Sequence, residues 1–491
     1  MLKLSTLKNK LNNIQLVSYF LMLIGILIRI YHYLVNRSLW LDEAMLSNNI
    51  INRDFSKLIE VLDNRQIAPI GFLLLQKIST LIFGVNEFAL RLFPLLCGIF
   101  SIVLFYLLLK RIVGEKIVLL GLVFFVFGRY LLYYSHEAKQ YNIDLIIYIA
   151  SFYFFYFKKL TNYSYIKLIG IGLLGGTFVW FSHLSAIFLI SIGVFLVLRE
   201  LLNKDIIQVK KVLIPATIWA ISICLNYFFF IQNHSNEAIQ IKAFSSIGYF
   251  PPIPFRFEDL SWFYTITVHL IQYPLGTSSG IFIFIIMICG FFYIIKTKRY
   301  QILVLGIPVL IHLVLSFLKL YPFYGRFILY STVFIIILTI MGFNMLVKWK
   351  PRIGYLISIV SIVAFMGLPI KKCLNPFYFE EISPSIEYIE NNREENDAIY
   401  VYCGAIPAFE FYQNMFNLNG KIIKGKVYGL DHKKYDLEVE SLKELNTPRI
   451  WILFSHYKKD GRDYFLEQCG KIGELKLNYD YCGASAHLFE K

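Results

Sequence analysis

Charge is scarce in this 491-residue sequence: Asp, Glu, Lys and Arg together make up 16% of it. A soluble globular chain is nearer a quarter charged, so a water-soluble globule is excluded. Cysteine is scarce too, at seven residues, which excludes a scaffold built on disulfides. What fills the sequence instead is apolar: 57% hydrophobic, with 45 Phe and 34 Tyr. That content excludes disorder and suffices for ten or more membrane spans of about 20 residues. Acids number 33 against 48 Lys and Arg, a net charge of +15. In a soluble chain such an excess suggests nucleic acid. In a membrane chain it reports where Lys and Arg lie relative to the spans, and no nucleic-acid partner is expected.

Apolar runs of spanning length fall near 14–34, 88–109, 117–135, 139–157, 166–181, 183–198, 212–231, 279–295, 301–318, 326–347 and 353–370. These predict about eleven helices. Basic clusters punctuate alternate gaps: Lys3, Lys8 and Lys10; Lys110, Arg111 and Lys116; Lys158, Lys159 and Lys167; Arg199, Lys204, Lys210 and Lys211; Lys296, Lys298 and Arg299; Lys348, Lys350 and Arg352. Placing all of them in the cytoplasm predicts the N-terminus inside and the C-terminus outside. The expected location is the plasma (inner) membrane, and no cleavable signal peptide is expected. The outer gaps then include 35–87, 232–278 and everything after 371. The segment 68–83 carries Gln76 and Lys77 mid-run and reads as a helix lying in the outer interface, as does 261–275.

Beyond residue 376 the composition changes. Residues 398–404, 449–455 and 486–490 read as strands, and 383–395 and 459–469 as amphipathic helices. The expected fold is therefore mainly α: a polytopic membrane helical bundle over 1–372 and a small C-terminal α/β domain over 373–491 outside the membrane. Cys403, Cys469 and Cys482 lie in that domain, where an oxidising compartment would allow one disulfide.

Four stretches hold candidate chemistry. Asp42 and Glu43 follow the first span in RSLWLDEAM. A carboxylate in a partly desolvated pocket can act as a general base, whereas acids in a helix's first turn favour its dipole and need no catalytic role. YYSHEAKQYNID (133–144) packs His136, Glu137, Lys139, Tyr141 and Asp144 between two spans. Glu137 reads as an acid facing a polar cavity, and Lys139 as a solvated helix end. His183 in FSHLSA reads as a substrate or metal contact, or simply a structural hydrogen-bonder. Lys319 and Arg326 bracket LYPFYGR, as snorkelling anchors or as a phosphate clamp; outer-side cations run against the usual charge bias, which favours the clamp. A base and an anion clamp at one membrane face suit a lipid-linked sugar phosphate, with Asp42 taking the acceptor's proton and Arg326 and Lys319 stabilising the departing phosphate.

LWLDEA (39–44), API (68–70), GVNEFALRLFPLLCG (84–98), SHEAKQY (135–141) and YPFYGRF (321–327) occur in that order over about 370 residues. The ordered set resembles the GT-C class of membrane glycosyltransferases, in particular the family-39-like group related to protein O-mannosyltransferases and the lipid A aminoarabinose transferase. The resemblance implies an inverting transfer from a polyprenyl-phosphate sugar to a lipid, glycan or protein acceptor of the cell envelope, on the extracytoplasmic face. By that likeness Asp42 matches the acidic motif supplying the base, with Glu43 its neighbour. Glu137 matches the polar motif after the third span, and Arg326 the position meeting the donor phosphate. The segment 68–83 resembles the family's juxtamembrane helices. Two departures stand out: Lys139 where an Arg is frequent, and Ala68 in place of the first residue of a double Pro. Some relatives bind a divalent metal and others do not. Glu43, Glu137, His136 and His183 could supply ligands here, but their spacing carries no metal signature, so a metal is left undecided.

The competing readings are a transporter or flippase of lipid-linked saccharides, a saccharide ligase, and a structural scaffold. Clustering of the polar motifs at one face favours an enzyme over a flippase with its midplane site. The 232–278 loop carries only Lys242 and Arg256, which disfavours a ligase with an Arg-rich loop.

Overall fold

The structure is a computed structural model describing residues 2–157, 162–232, 237–252, 256–277, 280–413, 415–416, 418 and 420–491. Lys158 and Lys159 of the predicted basic clusters, and positions 233–236, 253–255 and 278 of the predicted 232–278 loop, lie outside the described residues.

Each of the eleven apolar segments is built on helix. Six helices among the described residues are long and apolar enough to cross a bilayer alone, and two bent pairs bring the number to eight. Tyr165–Phe181 and Pro351–Ala364 are apolar but shorter, as is Ile70–Phe83 within the predicted interfacial segment. The chain is a multi-pass membrane protein. Its first elements are α1 (Leu2–Leu34), α2 (Leu41–Asn52), α3 (Ile70–Phe83) and α4 (Glu87–Ile112), followed by α5 (Glu115–Val126), α6 (Arg129–Tyr133) and α7 (Tyr141–Ser151).

Local chemistry sets several of these boundaries. Asn86 caps α4 by accepting from the Ala89 N–H at 2.8 Å, while Lys110 and Arg111 occupy its last turn. Apolar surface gives little drive for association inside lipid, so small residues matter where backbones meet. A Cβ at Gly290 would lie 2.0 Å from the Leu338 carbonyl oxygen, and one at Gly342 2.0 Å from that of Ile286. The helices Gly280–Lys296 and Thr332–Trp349 can approach this closely only because both positions are glycine. Gly98 serves the site in the same way: a Cβ there would lie 2.5 Å from the Ser135 Cβ, so α4 packs directly on the 134–136 turn.

That turn arises from a broken helix. Ile117–Val126 and Arg129–His136 meet at 58°, and regular α-helix resumes only at Tyr141. The predicted span at 139–157 therefore begins in irregular backbone. Such backbone is tolerated at a membrane boundary when protein rather than lipid surrounds it, and Ser135–Gln140 is buried throughout.

The C-terminal part forms a five-stranded sheet in the order β2-β1-β3-β5-β4, with β1 (Ala398–Val401), β2 (Lys421–Lys424), β3 (Arg449–Ser455), β4 (Glu474–Tyr481) and β5 (Ala484–Glu490). β1 pairs parallel to β2 and β3; β5 pairs antiparallel to β3 and β4. The buried strands β1, β3 and β5 are those the sequence announced. The edge strands β2 and β4 escaped because their residues are mostly exposed and lack an apolar run. All seven cysteines are free thiols, so no disulfide joins Cys403, Cys469 or Cys482.

Candidate active site

The acids of the LWLDEA motif do stand in the first turn of a helix, since α2 starts at Leu41. Dipole stabilisation does not exhaust their role, because the two side chains enter different surroundings.

Glu43 is fully buried and saturated. Its Oε2 accepts from Arg37 Nη1 at 2.9 Å and from Arg91 Nη2 at 2.9 Å; its Oε1 accepts from Arg91 Nε at 3.0 Å and the Ala138 N–H at 2.7 Å. Burial pushes its carboxyl up, but Arg37 and Arg91 outweigh this and hold it below the usual carboxylate range. Arg91 also donates to the carbonyls of Arg37 at 2.6 Å and Ser38 at 3.2 Å. The network thus joins the 37–43 segment, α4 and the 134–140 segment.

Asp42 points into a cluster of opposite charge. Its Oδ2 lies 2.6 Å from Arg326 Nη1 and its Oδ1 3.1 Å from Lys139 Nζ. Gln66 completes the ring, donating to Asp42 Oδ1 at 3.2 Å and accepting from Lys139 Nζ at 2.7 Å. Burial raises the Asp42 carboxyl, but Arg326 and Lys139 prevail and hold it well below the usual range. The Arg326 guanidinium stands 5.5 Å from the Tyr141 ring centre and 5.7 Å from that of Trp40. Trp40 in turn donates its indole N–H to Glu137 Oε1 at 3.0 Å. Burial and the neighbouring Glu43 carboxylate push the Glu137 carboxyl up to about 7.

The structure therefore brings together Asp42, Lys139, Arg326, Tyr141 and, through Trp40, Glu137. Lys139, expected as a solvated end, is 4% exposed and ion-paired. Lys319 is not joined to the cluster by any hydrogen bond or ion pair among the described residues. It ends the helix Ile307–Phe317 in left-handed backbone, φ 59°, with its N–H on the Ser316 carbonyl at 3.0 Å. His136 is buried beside His32, ring centres 5.2 Å apart, and beside Tyr133 at 5.7 Å. His183 stacks on Phe230 at 6.3 Å, next to Ser182, which donates to Asp144. Three partners were missed: Arg37 and Arg91, visible as basic residues inside the quoted motifs, and Gln66, which had no signal of its own.

The same 37–43 segment is held from the C-terminal part. Glu381 Oε2 accepts from the Ser38 N–H and Glu380 Oε2 from the Leu41 N–H, both at 3.0 Å. The Tyr412 hydroxyl accepts from the Leu39 N–H at 2.9 Å and donates to Glu87 at 2.7 Å. His456 hydrogen-bonds the other oxygen of Glu380.

Residues 68–228 match the family described as Dolichyl-phosphate-mannose-protein mannosyltransferase. No curated protein sequence matches the chain. Among solved structures it is similar to the oligosaccharyltransferase of Archaeoglobus fulgidus in complex with Zn and sulfate. That match has 11% identity over 88% of this chain and 67% of the other, with a TM-score of 0.51. It is also similar to oligosaccharyltransferase AglB from the same organism in complex with an inhibitory peptide and a dolichol-phosphate, again at 11% identity, over 96% and 74% of the two chains, with a TM-score of 0.50. The fold is that of the GT-C membrane glycosyltransferases. Within this GT-C fold neither acid of the LWLDEA motif is free to hold a divalent metal. Both oxygens of Glu43 are taken by guanidinium and amide donors, and Asp42 faces two cations where a metal would need anionic ligands. Among the described residues no three His, Cys, Asp or Glu gather into a ligand set.

Proposed function

We propose that this chain is an inverting glycosyltransferase that takes a sugar from a polyprenyl-phosphate donor and passes it to an acceptor on the outer face of the plasma (inner) membrane. The observation that carries the reading is the convergence of Asp42, Lys139 and Arg326, from three distant segments, at one point of a GT-C fold. A lone anion paired with two cations is a site that a phosphate can enter by competing for the cations. The matched family is described by a dolichyl-phosphate sugar, and AglB is described in complex with dolichol-phosphate; that donor class suits a cationic pocket in a membrane protein.

In this mechanism the donor phosphate engages the Arg326 guanidinium, with Lys139 beside it, and loosens the hold of both on Asp42. The freed carboxylate takes the proton of the acceptor group as its heteroatom attacks the anomeric carbon. The bond from that carbon to the phosphate oxygen breaks, and its electron pair leaves with the lipid phosphate, stabilised by Arg326. Glu137, through Trp40, sets the wall beneath the guanidinium. Glu43 organises the segment and does not touch the reacting atoms. Lys139 takes the supporting role first given to Lys319, because it is the lysine that reaches Asp42.

Purified protein incubated with radiolabelled polyprenyl-phosphate sugars should release the label from the lipid to an acceptor or to water. Movement of an intact lipid-linked sugar between vesicles, without release from any donor, would replace the enzyme with a flippase.

A further inference from the structure

A cavity of about 180 Å³ lies behind the candidate active site, where the end of α1, α6 and the chain leading to the sheet meet. Its lining includes Arg129, Lys372, Asn375, His32, His136 and Tyr133, and no carboxylate among the described residues. Tyr133 and His136 form the partition: on their far side the Arg37 guanidinium lies 4.9 Å from the Tyr133 ring centre and donates to the His136 carbonyl at 3.4 Å. None of Asp42, Lys139 and Arg326 lines this cavity.

Two features of this space are unexplained by packing. The Tyr133 hydroxyl is buried and has no hydrogen-bond partner among the described residues. A buried hydroxyl normally finds a partner, and a group entering the cavity could supply one. The charge is also one-sided. Arg129 packs on Phe377 at 4.6 Å and makes no ion pair among the described residues, and Lys372 is exposed at the rim. Arg29, one turn before His32, is fully buried and donates to the Gly25 carbonyl at 3.1 Å, which adds a cation behind the site.

We infer that this cavity is a second anion site, distinct from the Arg326 cluster, that receives a phosphate headgroup. The guanidinium and ammonium supply charge and bidentate geometry, and the Tyr133 phenol supplies a further donor. At about 30 Å³ per water, the volume equals roughly six waters, enough for a phosphate group with part of its hydration. The flanks Leu132, Tyr130 and Phe377 are apolar, and the spanning helix Asn13–Leu34 borders the cavity through His32, which favours a phosphate carried by a lipid over a free one. The inference does not depend on glycosyl transfer.

The test uses the full chain in detergent, with native mass spectrometry counting bound phosphatidic acid, and parallel titrations with inorganic phosphate and with phosphatidylcholine. Arg129→Gln combined with Lys372→Gln should weaken one bound phosphatidic acid at least tenfold, while Arg326→Gln leaves that binding event in place. Lys372→Glu, at an exposed position that the fold does not need, should weaken it in the same direction. Saturable binding of inorganic phosphate that the same variants abolish would keep the phosphate site and make its source a free anion. Equal phosphatidic acid and phosphate binding by wild type and all Arg129 and Lys372 variants overturns the inference, whatever the transferase assay shows.

Discussion

Asp42 Oδ2 and Arg326 Nη1 stand 2.6 Å apart, so the proposed base and the proposed phosphate ligand neutralise each other. The pairing makes the two roles sequential: Asp42 becomes an effective base once phosphate competes for Arg326. Asp42→Asn is isosteric and keeps the hydrogen bond from Gln66. It should lower transfer by about 10²–10⁴-fold, the usual contribution of a general base, while donor affinity holds or rises because the carboxylate that competes for Arg326 is gone. Single-turnover label release, set against equilibrium binding of the donor lipid, separates the two; wild-type turnover in the variant would remove Asp42 as base.

Arg326 also controls when Asp42 is ionised. It holds that carboxyl well below the usual range, so Asp42 stays deprotonated into strongly acid solution. Replacing Arg326 with Gln removes the largest lowering influence, and the Asp42 carboxyl must rise. The acid limb of the kcat/KM profile should therefore move to higher pH in Arg326→Gln, and KM for the donor should increase. An acid limb that stays where it is in wild type would argue against Asp42 as the titrating base.

Glu43 should behave as a structural residue. Glu43→Ala leaves Arg37 and Arg91 buried without their carboxylate, which costs about 3–5 kcal/mol for a broken buried pair. The variant should lose thermal stability measured in detergent, and Arg91→Ala should lose a similar amount. A stable Glu43→Ala that only lacks turnover would instead place Glu43 at the reacting atoms.

Glu137 gives stability a distinctive pH dependence. Its carboxyl is raised from an ordinary 4.5 to about 7, so between those values the folded chain binds a proton that the unfolded chain does not. Stability from this group is present at low pH and lost as pH rises toward 7, with a slope of up to about 1.4 kcal/mol per pH unit. Glu137→Gln should flatten the melting temperature across pH 5 to 7. Identical slopes in the two proteins would show that Glu137 is ionised throughout.

Glu380 ties the sheet domain to the site, because it accepts the Leu41 N–H at the start of the helix that carries Asp42. Glu380→Ala orphans that N–H, at about 1–3 kcal/mol locally, and lets the Asp42 helix shift. Turnover should fall with the melting transition of the whole chain little changed, and Glu380→Gln, which still accepts, should restore most of it. Full activity in the alanine variant would make the contact passive.

Much of this molecule was legible before any coordinates. The apolar helices, their order and the buried strands β1, β3 and β5 follow from local hydrophobicity, a property of consecutive residues. Asp42, Glu137 and Arg326 were legible because ionisable groups beside apolar runs are conspicuous. Gln66 was not, being an ordinary polar residue in an ordinary loop. Lys139, read as a solvated helix end, is buried and ion-paired, while Lys319 lies outside that pair; both are lysines at helix ends and only their depth differs.

Sequence order alone thus settled that the chain is a membrane bundle with polar motifs gathered at helix ends, because burial in lipid is decided span by span. Only the tertiary structure decided which charges meet. It set Glu43 between two arginines, Asp42 between Arg326 and Lys139, and Lys319 in a turn where it joins neither pair. Ion pairing falls off within a few ångströms, so it depends on how the broken helix at Gly128 and the close α4 contact at Gly98 fold distant segments together.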